Sequence, residues 1–140
     1  MLDHTITLKR AHMFTMERHI TLEAPLESCG ILAGKAGLVE IVLPIKNAAA
    51  SKVRFLMEPR AQLRAMQQIE AEGLEMLAIF HSHPRGPSAP SATDILEAMY
   101  PVVNIIWSKA GRRWQARGFW IEAGKVDEVP LKVSDMYLCT

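Results

Sequence analysis

One short apolar stretch that ends in two histidines places the strongest constraint on the fold of this chain. Residues 76–80, Met-Leu-Ala-Ile-Phe, form a continuous apolar run, and His81-Ser82-His83-Pro84 follows without a break. An unbroken apolar run of this length is typical of a strand that is covered on both faces, so we expect it at the centre of a sheet. The fold must therefore bury this strand while it holds two histidines at the strand's end.

The rest of the 140-residue chain predicts helices and strands in alternation. Apolar spacing and proline positions predict helices within residues 9–21, from Pro59 to Gly73 with Leu63, Met66 and Ile69 on one face, and at residues 95–99 before Pro101. Strands are predicted at residues 29–34, 38–45, 53–58, 76–80, 102–107 and 113–121, with an edge strand at 125–133 that tolerates Pro130. This order indicates one domain over residues 1–140, of the α/β (α+β) class, with a mixed β-sheet flanked by helices.

Composition excludes several classes of protein. The formal charge is +1 and the basic residues are scattered, so no basic surface for nucleic acid is expected. The sequence has no apolar run of the roughly 18 residues that a membrane span needs, and the N-terminus lacks the apolar stretch of a signal peptide. Cys29 and Cys139 are too few for a disulfide framework. We therefore expect a cytoplasmic protein without a nucleic-acid or membrane partner.

The residues after the apolar run have the chemistry of a metal site. His81 and His83 are two positions apart, so their imidazoles project from the same face if the strand continues through them. Asp94 follows a proline-rich loop and can add a carboxylate oxygen, which gives three protein ligands and one open position. An open position is typical of a catalytic site. Zinc is the natural candidate for such ligands, although the spacing does not exclude iron, manganese or nickel.

Each of these residues also has a structural interpretation. Ser91-Ala92-Thr93-Asp94 precedes an apolar pattern and matches a helix capping box, in which both side chains satisfy backbone N–H groups. Glu27 fits an exposed carboxylate in a loop, and Cys29 fits a small buried apolar residue rather than a nucleophile. A His-x-His pair by itself is a weak indication of a metal site.

Taken together, the motifs resemble those of one enzyme family. The sequence contains Glu27-Ser28-Cys29-Gly, which continues as Ile-Leu-Ala-Gly. Further along the chain, His-Ser-His-Pro is followed by six residues, Ser91, two residues and Asp94. This arrangement is similar to the long motif of the JAMM metallopeptidases, also called MPN-plus or Mov34-type. The resemblance covers roughly residues 5–122, and its Glu-x-Cys-Gly form is closest to the stand-alone bacterial and archaeal members.

The resemblance implies a fold, a reaction and a set of roles. Family members have a mixed sheet between helices, related to the cytidine deaminase fold, and hydrolyse the amide bond after the C-terminal Gly-Gly of ubiquitin-like or sulfur-carrier proteins. By position, His81, His83 and Asp94 bind one zinc ion per chain. Glu27 is the general base that activates water and protonates the leaving amine. Ser91 stabilises the developing oxyanion.

Other readings of the motif remain open. Some relatives of the family lack the metal motif and act only as interaction domains, and RadC-like proteins share the His-x-His-Pro and Ser-x-x-Asp pattern. RadC-like proteins usually carry an N-terminal helical DNA-binding region, which this sequence does not show. A zinc deaminase is disfavoured because its His-x-Glu and Pro-Cys-x-x-Cys elements are absent. For the substrate tail, residues 53–57 are the predicted free strand edge.

Overall fold

A computed structural model describes residues 3–98 and 100–138 of the chain. Met99 of the predicted third helix and Cys139 lie outside these residues. The elements are β1 (Ile6–Leu8), α1 (Arg10–Glu23), β2 (Cys29–Lys35), β3 (Leu38–Ile45), α2 (Pro59–Ala71), β4 (Glu75–His83), α3 (Ala92–Leu96), β5 (Val103–Ala110), β6 (Arg113–Glu122), β7 (Lys125–Val129) and β8 (Leu131–Val133). None of the helices in this part of the chain has the length and hydropathy needed to cross a membrane.

The described strands form one mixed sheet with the order β7-β6-β5-β4-β2-β3-β1-β8. Strand β4 lies inside the sheet, where it pairs antiparallel with β2 and parallel with β5. Ala78 and Phe80 in this strand are fully buried. The mixed α/β architecture and the central position of the apolar run are therefore confirmed.

The segment after residue 124 differs from the single edge strand that was predicted. Pro130 separates β7 from β8, and these two strands lie at opposite ends of the strand order. β7 pairs with β6, whereas β8 pairs in parallel with β1. Because one residue links the two ends, the sheet must curl until its edges approach each other. A pattern of one strand cannot reveal this, since it depends on the curvature of the whole sheet.

Helices α1 and α2 pack on the sheet as the spacing indicates, with one exception. Helix α1 buries Met16 and Ile20. Helix α2 begins at Pro59, where the Glu58 carboxylate accepts hydrogen bonds from the first turn, and it buries Ala65 and Ile69. Leu63, which was placed on the same face as Ile69, is 57% exposed. The prediction for this residue was wrong, because the face that packs on the sheet is made by Ala61, Ala65 and Ile69 at four-residue spacing, and Leu63 lies outside that face.

The strand predicted at residues 53–58 is absent. Apart from one isolated bridge between Asn47 and Met57, this segment is irregular. The Asn47 side chain accepts a hydrogen bond from the N–H of Leu56 and donates one to the carbonyl of Arg54. A side chain thus occupies the main-chain groups that a neighbouring strand would need.

Candidate metal centre

The two histidines lie at the end of the central strand. His81 and His83 are the last alternate residues of β4, so both imidazoles lie on one face of the sheet, and both are buried. Their Nε2 atoms are 3.1 Å apart. Two buried imidazole nitrogens at this distance indicate that a proton or a metal ion lies between them in the functional protein.

Asp94 joins the histidines from helix α3. Its Oδ2 lies 3.1 Å from Nε2 of His81 and 3.0 Å from Nε2 of His83. The Ser91 N–H donates to the same Oδ2 over 2.9 Å, and the Asp94 N–H donates to Ser91 Oγ over 3.0 Å. The capping box is therefore present, and it holds the carboxylate beside the two imidazoles.

These three donor atoms fit a metal ion of zinc's size. Zinc bonds of 2.0–2.1 Å in tetrahedral geometry put ligand atoms about 3.3 Å apart. The triangle formed by the two Nε2 atoms and Asp94 Oδ2 has edges of 3.0 to 3.1 Å. Glu27 also lies near, since it, His81 and His83 offer ligand atoms within 4.8 Å of one another. Its Oε2 is 3.9 Å from Nε2 of His83, so Asp94 is the closer carboxylate.

The ring of His83 is oriented so that its Nε2 atom is available to a metal ion. Its Nδ1 is 2.8 Å from the carbonyl of Pro87 and must carry the proton, because a carbonyl only accepts. The lone pair of the neutral ring is therefore on Nε2, which faces Asp94. His81 Nδ1 is buried with no partner among the described residues, and the Phe55 ring stacks on His81 with centroids 4.5 Å apart.

The acid–base properties of the cluster follow from burial and proximity. Burial lowers the pKa of His81 below its ordinary value. Burial raises the pKa of the Asp94 carboxyl, but hydrogen bonds from both histidines outweigh it and hold that pKa well below its usual range. Burial opposes the charge on His83, yet its hydrogen bonds to Asp94 and Pro87 leave its pKa raised. Without a metal, the Asp94 carboxylate therefore favours the protonated form of His83.

Glu27 is held beside this cluster by its main chain. The Ser28 N–H donates to Ser82 Oγ over 2.9 Å, and the Ser82 N–H donates to the carbonyl of Ser28 over 3.0 Å. The Asn47 side chain donates to the carbonyl of Glu27 over 2.8 Å. The Glu27 carboxyl is buried, and its Oε1 has no hydrogen-bond partner among the described residues. Burial raises its pKa to about 7, which suits a base at neutral pH.

Gly30 explains why the motif around Glu27 contains a glycine. A Cβ at this position would lie 2.2 Å from Cε1 of Phe80 and 2.7 Å from the main-chain oxygen of Leu43. Any side chain would therefore separate β2 from its neighbours. The glycine allows close pairing of β2 with β4, and this pairing sets the position of Glu27 relative to the histidines.

Cys29 does not have the properties of a nucleophile. It is fully buried, and its Sγ donates to the carbonyl of Ile45. Burial raises the pKa of the thiol to about 12, so the thiolate is scarce at neutral pH. The interpretation of Cys29 as a small buried residue is consistent with this position.

A cleft of about 500 Å³ opens beside the metal centre. His81 and Asp94 lie at one end of it. One wall is the irregular segment of residues 54–57 and the other is residues 93–98, and an ion pair between Arg54 and Glu97, 3.6 Å long, joins the two walls. The cleft therefore gives a ligand access to the metal centre.

Several contributors to the site are not visible in the sequence motif. Ser82 supports the Glu27 segment, Asn47 links that segment to residues 54–56, Pro87 orients His83 and Phe55 packs on His81. Ser82 lies between the two histidines in the sequence, so strand alternation places its side chain on the opposite face of β4. This position could have been predicted from the sequence. The other three contacts depend on loop conformations that periodicity does not describe.

Comparisons with known proteins identify the family. The family described as prokaryotic homologs of the JAB domain matches residues 9–120. A probable TtuB-protein conjugate cleaving protease of Thermus thermophilus is 44% identical over 68% of this chain, a match that spans 64% of that protein's length. A desampylase of Pyrococcus furiosus is 38% identical over 81% of each chain. The solution structure of DSY2949 from Desulfitobacterium hafniense, 36% identical, covers 92% of each chain with a TM-score of 0.84. The chain belongs to the family of prokaryotic homologs of the JAB domain.

Proposed function

We propose that this protein is a zinc-dependent isopeptidase or peptidase that hydrolyses the amide bond after the C-terminal Gly-Gly of a ubiquitin-like or sulfur-carrier protein. His81, His83 and Asp94 hold the zinc ion, Glu27 is the general base and Ser91 binds the oxyanion. The observation that carries this proposal is the convergence of three metal-binding atoms, 3.0 to 3.1 Å apart, beside one buried carboxyl.

The reaction follows from the positions of these groups. A zinc ion bound to the three ligands supplies Lewis acidity, which acidifies water and polarises the scissile carbonyl. Glu27 accepts a proton from the attacking water, since its carboxylate is buried and its pKa is close to neutral. The protonated Glu27 then donates this proton to the leaving amine, and the carboxyl group returns to its ionised form.

Ser91 is suited to bind the negative charge that develops on the carbonyl oxygen. Its Oγ accepts the N–H of Asp94, and its hydroxyl proton has no acceptor among the described residues. The hydroxyl is therefore free to donate to a substrate oxygen. One such donor is commonly worth roughly 10²-fold or more in rate.

The cleft supports a substrate with an extended tail. Among the described residues, the main-chain N–H and C=O groups of Phe55 and Met57 have no hydrogen-bond partner, while those of Leu56 are occupied by Asn47 and Ala48. An added strand pairs with the free N–H and C=O groups of alternate residues. This segment can therefore pair with an extended peptide, although residues 53–57 are not themselves a strand. Glycines before the scissile bond would let the tail pass between the cleft walls without a Cβ. The relative from Thermus thermophilus is named a probable TtuB-protein conjugate cleaving protease, and the relative from Pyrococcus furiosus is named a desampylase. Both names agree with such a substrate.

A panel of fusions tests the substrate. A ubiquitin-like or sulfur-carrier protein that ends in Gly-Gly is joined either to a single residue by a peptide bond or to a lysine side chain, and release of the carrier is followed by mass spectrometry. We expect cleavage of the Gly-Gly fusions, at least ~10-fold slower cleavage when the penultimate glycine is valine, and little action on unfolded casein. Equal cleavage of the valine fusions or of casein would remove the Gly-Gly assignment.

Two alternatives make different predictions. An interaction domain without catalysis would bind its partner without releasing a carrier protein, and a RadC-like protein would be associated with DNA. The buried Glu27 carboxyl beside the three donor atoms favours the hydrolase, because an interaction domain does not need a buried base with a raised pKa. The extent of the domain, residues 1–140, and a cytoplasmic location are part of the proposal.

A further inference from the structure

Asn104 is an unusual residue in the middle of the sheet. It lies in β5 between Val103 and Ile105, both of which are buried, and it is itself only 9% exposed. Asparagine is depleted in strands, and a buried amide needs hydrogen-bond partners for its donors and its acceptor. A polar residue in this position therefore requires an explanation that packing does not provide.

The Asn104 side chain has no hydrogen-bond partner in the part of the chain that the structure describes. It lines the cleft that leads to the metal centre. Gln62 and Tyr100 line the same cleft and form a hydrogen bond with each other over 3.2 Å, and neither of them bonds to Asn104. Because Asn104 lines the cleft and keeps 9% of its surface exposed, water can reach its amide in the free chain, and a ligand that enters the cleft can replace that water.

The register of the sheet places Asn104 at a defined distance from the site of hydrolysis. Asn104 pairs with Ile79, and His81 is two residues further along the same face of β4. Two residues of strand span about 6.6 Å and neighbouring strands are about 4.8 Å apart, so ideal strand spacing puts the Cα atoms of Asn104 and His81 roughly 8 Å apart. An extended substrate covers this distance in about two residues. A tail that runs from the metal centre along this face of the sheet would bring the peptide group before its penultimate residue to the level of Asn104.

We propose that Asn104 determines specificity by hydrogen-bonding this peptide group of the substrate tail. The inference rests on the proposed function, because it presumes that an extended tail lies in the cleft with its last carbonyl at the metal. A side-chain amide carries both a donor and an acceptor, so it matches the N–H and the C=O of a main chain in extended conformation. Asn104 would then recognise the backbone of the tail rather than a side chain.

The first experiment removes the amide. Asn104→Leu keeps the approximate volume of the side chain, and we expect KM for a Gly-Gly-tailed fusion to rise about 10-fold while kcat changes less than about 3-fold. Zinc content should stay at the parental value. The matched control is Gln115→Leu, which removes an exposed amide from the neighbouring strand β6 outside the cleft and should leave KM unchanged. An unchanged KM in Asn104→Leu would overturn the proposal.

A second experiment identifies the bond itself. In a semisynthetic fusion, glycolic acid replaces the penultimate glycine, so that an ester oxygen takes the place of the N–H of the peptide group in question. We expect this change to lower kcat/KM about 10-fold for the parent enzyme and less than about 3-fold for Asn104→Leu, or for Asn104→Ser if the leucine variant does not fold. Equal losses in parent and variant would show that Asn104 acts on structure alone and would overturn the proposal. Failure of the parent to cut any Gly-Gly fusion would instead contradict the proposed function.

Discussion

Oε2 of Glu27 lies 3.9 Å from Nε2 of His83, although Glu27 lies in the loop before β2 and His83 ends β4. This distance is too long for a direct hydrogen bond, so the carboxyl is close to the metal-binding atoms without being one of their partners. Ser28 and Ser82 produce this separation by linking the start of β2 to the end of β4. The proposed base and the proposed metal ligands are therefore held as one unit, and the following predictions separate their roles.

The first prediction concerns metal content. Purified protein should contain about one zinc ion per chain, measured by elemental mass spectrometry, because three donor atoms converge on one point. His83→Ala and Asp94→Ala should each lower zinc affinity by at least ~10-fold. His19→Ala is the matched control for loss of an imidazole, since His19 lies on α1 and contacts Phe80. Parental zinc binding by both ligand variants would contradict the assignment.

The second prediction separates the base from the ligands. Glu27→Gln should keep zinc but lose about 10²- to 10⁴-fold in kcat, because the amide is nearly isosteric and cannot accept a proton from water. Glu23→Gln is the control, as Glu23 is an exposed carboxylate at the end of α1 and should be dispensable. Turnover and zinc are measured on the same preparations. Near-parental turnover of Glu27→Gln would exclude this residue from the mechanism.

The third prediction concerns the pH dependence of stability in the metal-free protein. Burial raises the pKa of Glu27 from 4.5 to about 7, so the folded chain holds this proton at pH values where the unfolded chain has lost it. The contribution of Glu27 to stability is therefore fully present below pH 4.5 and is lost as the pH rises to 7.

The side chain of Glu27→Gln does not titrate, so this variant does not lose stability through ionisation of residue 27 when the pH rises. In the presence of a chelator, the variant should be more stable than the parent at pH 8, by up to about 3 kcal/mol, and the difference should shrink towards pH 5. Urea unfolding at several pH values measures the two free energies. A difference that does not depend on pH would show that Glu27 has an ordinary pKa in the folded chain.

The fourth prediction concerns the support of Glu27 by Ser82. Ser82→Ala leaves the buried N–H of Ser28 without its acceptor, so we expect a loss of about 1 to 3 kcal/mol in the free energy of unfolding and a lower kcat. Ser108→Ala is the control, because Ser108 is equally buried but its hydroxyl has no partner among the described residues. Its removal should change stability by less than about 1 kcal/mol. Equal effects of the two substitutions would contradict the supporting role.

The sequence by itself determined the parts of this protein that depend on neighbours along the chain. The apolar run at residues 76–80 predicted a central strand, the alternation in His81-Ser82-His83 predicted two imidazoles on one face, and Ser91 with Asp94 predicted a capping box. Each of these follows from the period of a strand or the first turn of a helix, which nearby residues set. The family could be identified for the same reason, since its motif is a set of spacings.

Only the tertiary structure decided how these local pieces meet. β7 and β8 lie at opposite ends of the strand order, and the Asn47 side chain binds main-chain groups of Arg54 and Leu56 in a segment that forms no strand. The unpaired amide of Asn104 in the cleft depends on the register between β4 and β5. These features arise from contacts between residues far apart in sequence, and such contacts depend on register, curvature and individual hydrogen bonds, for which hydrophobic periodicity carries no signal.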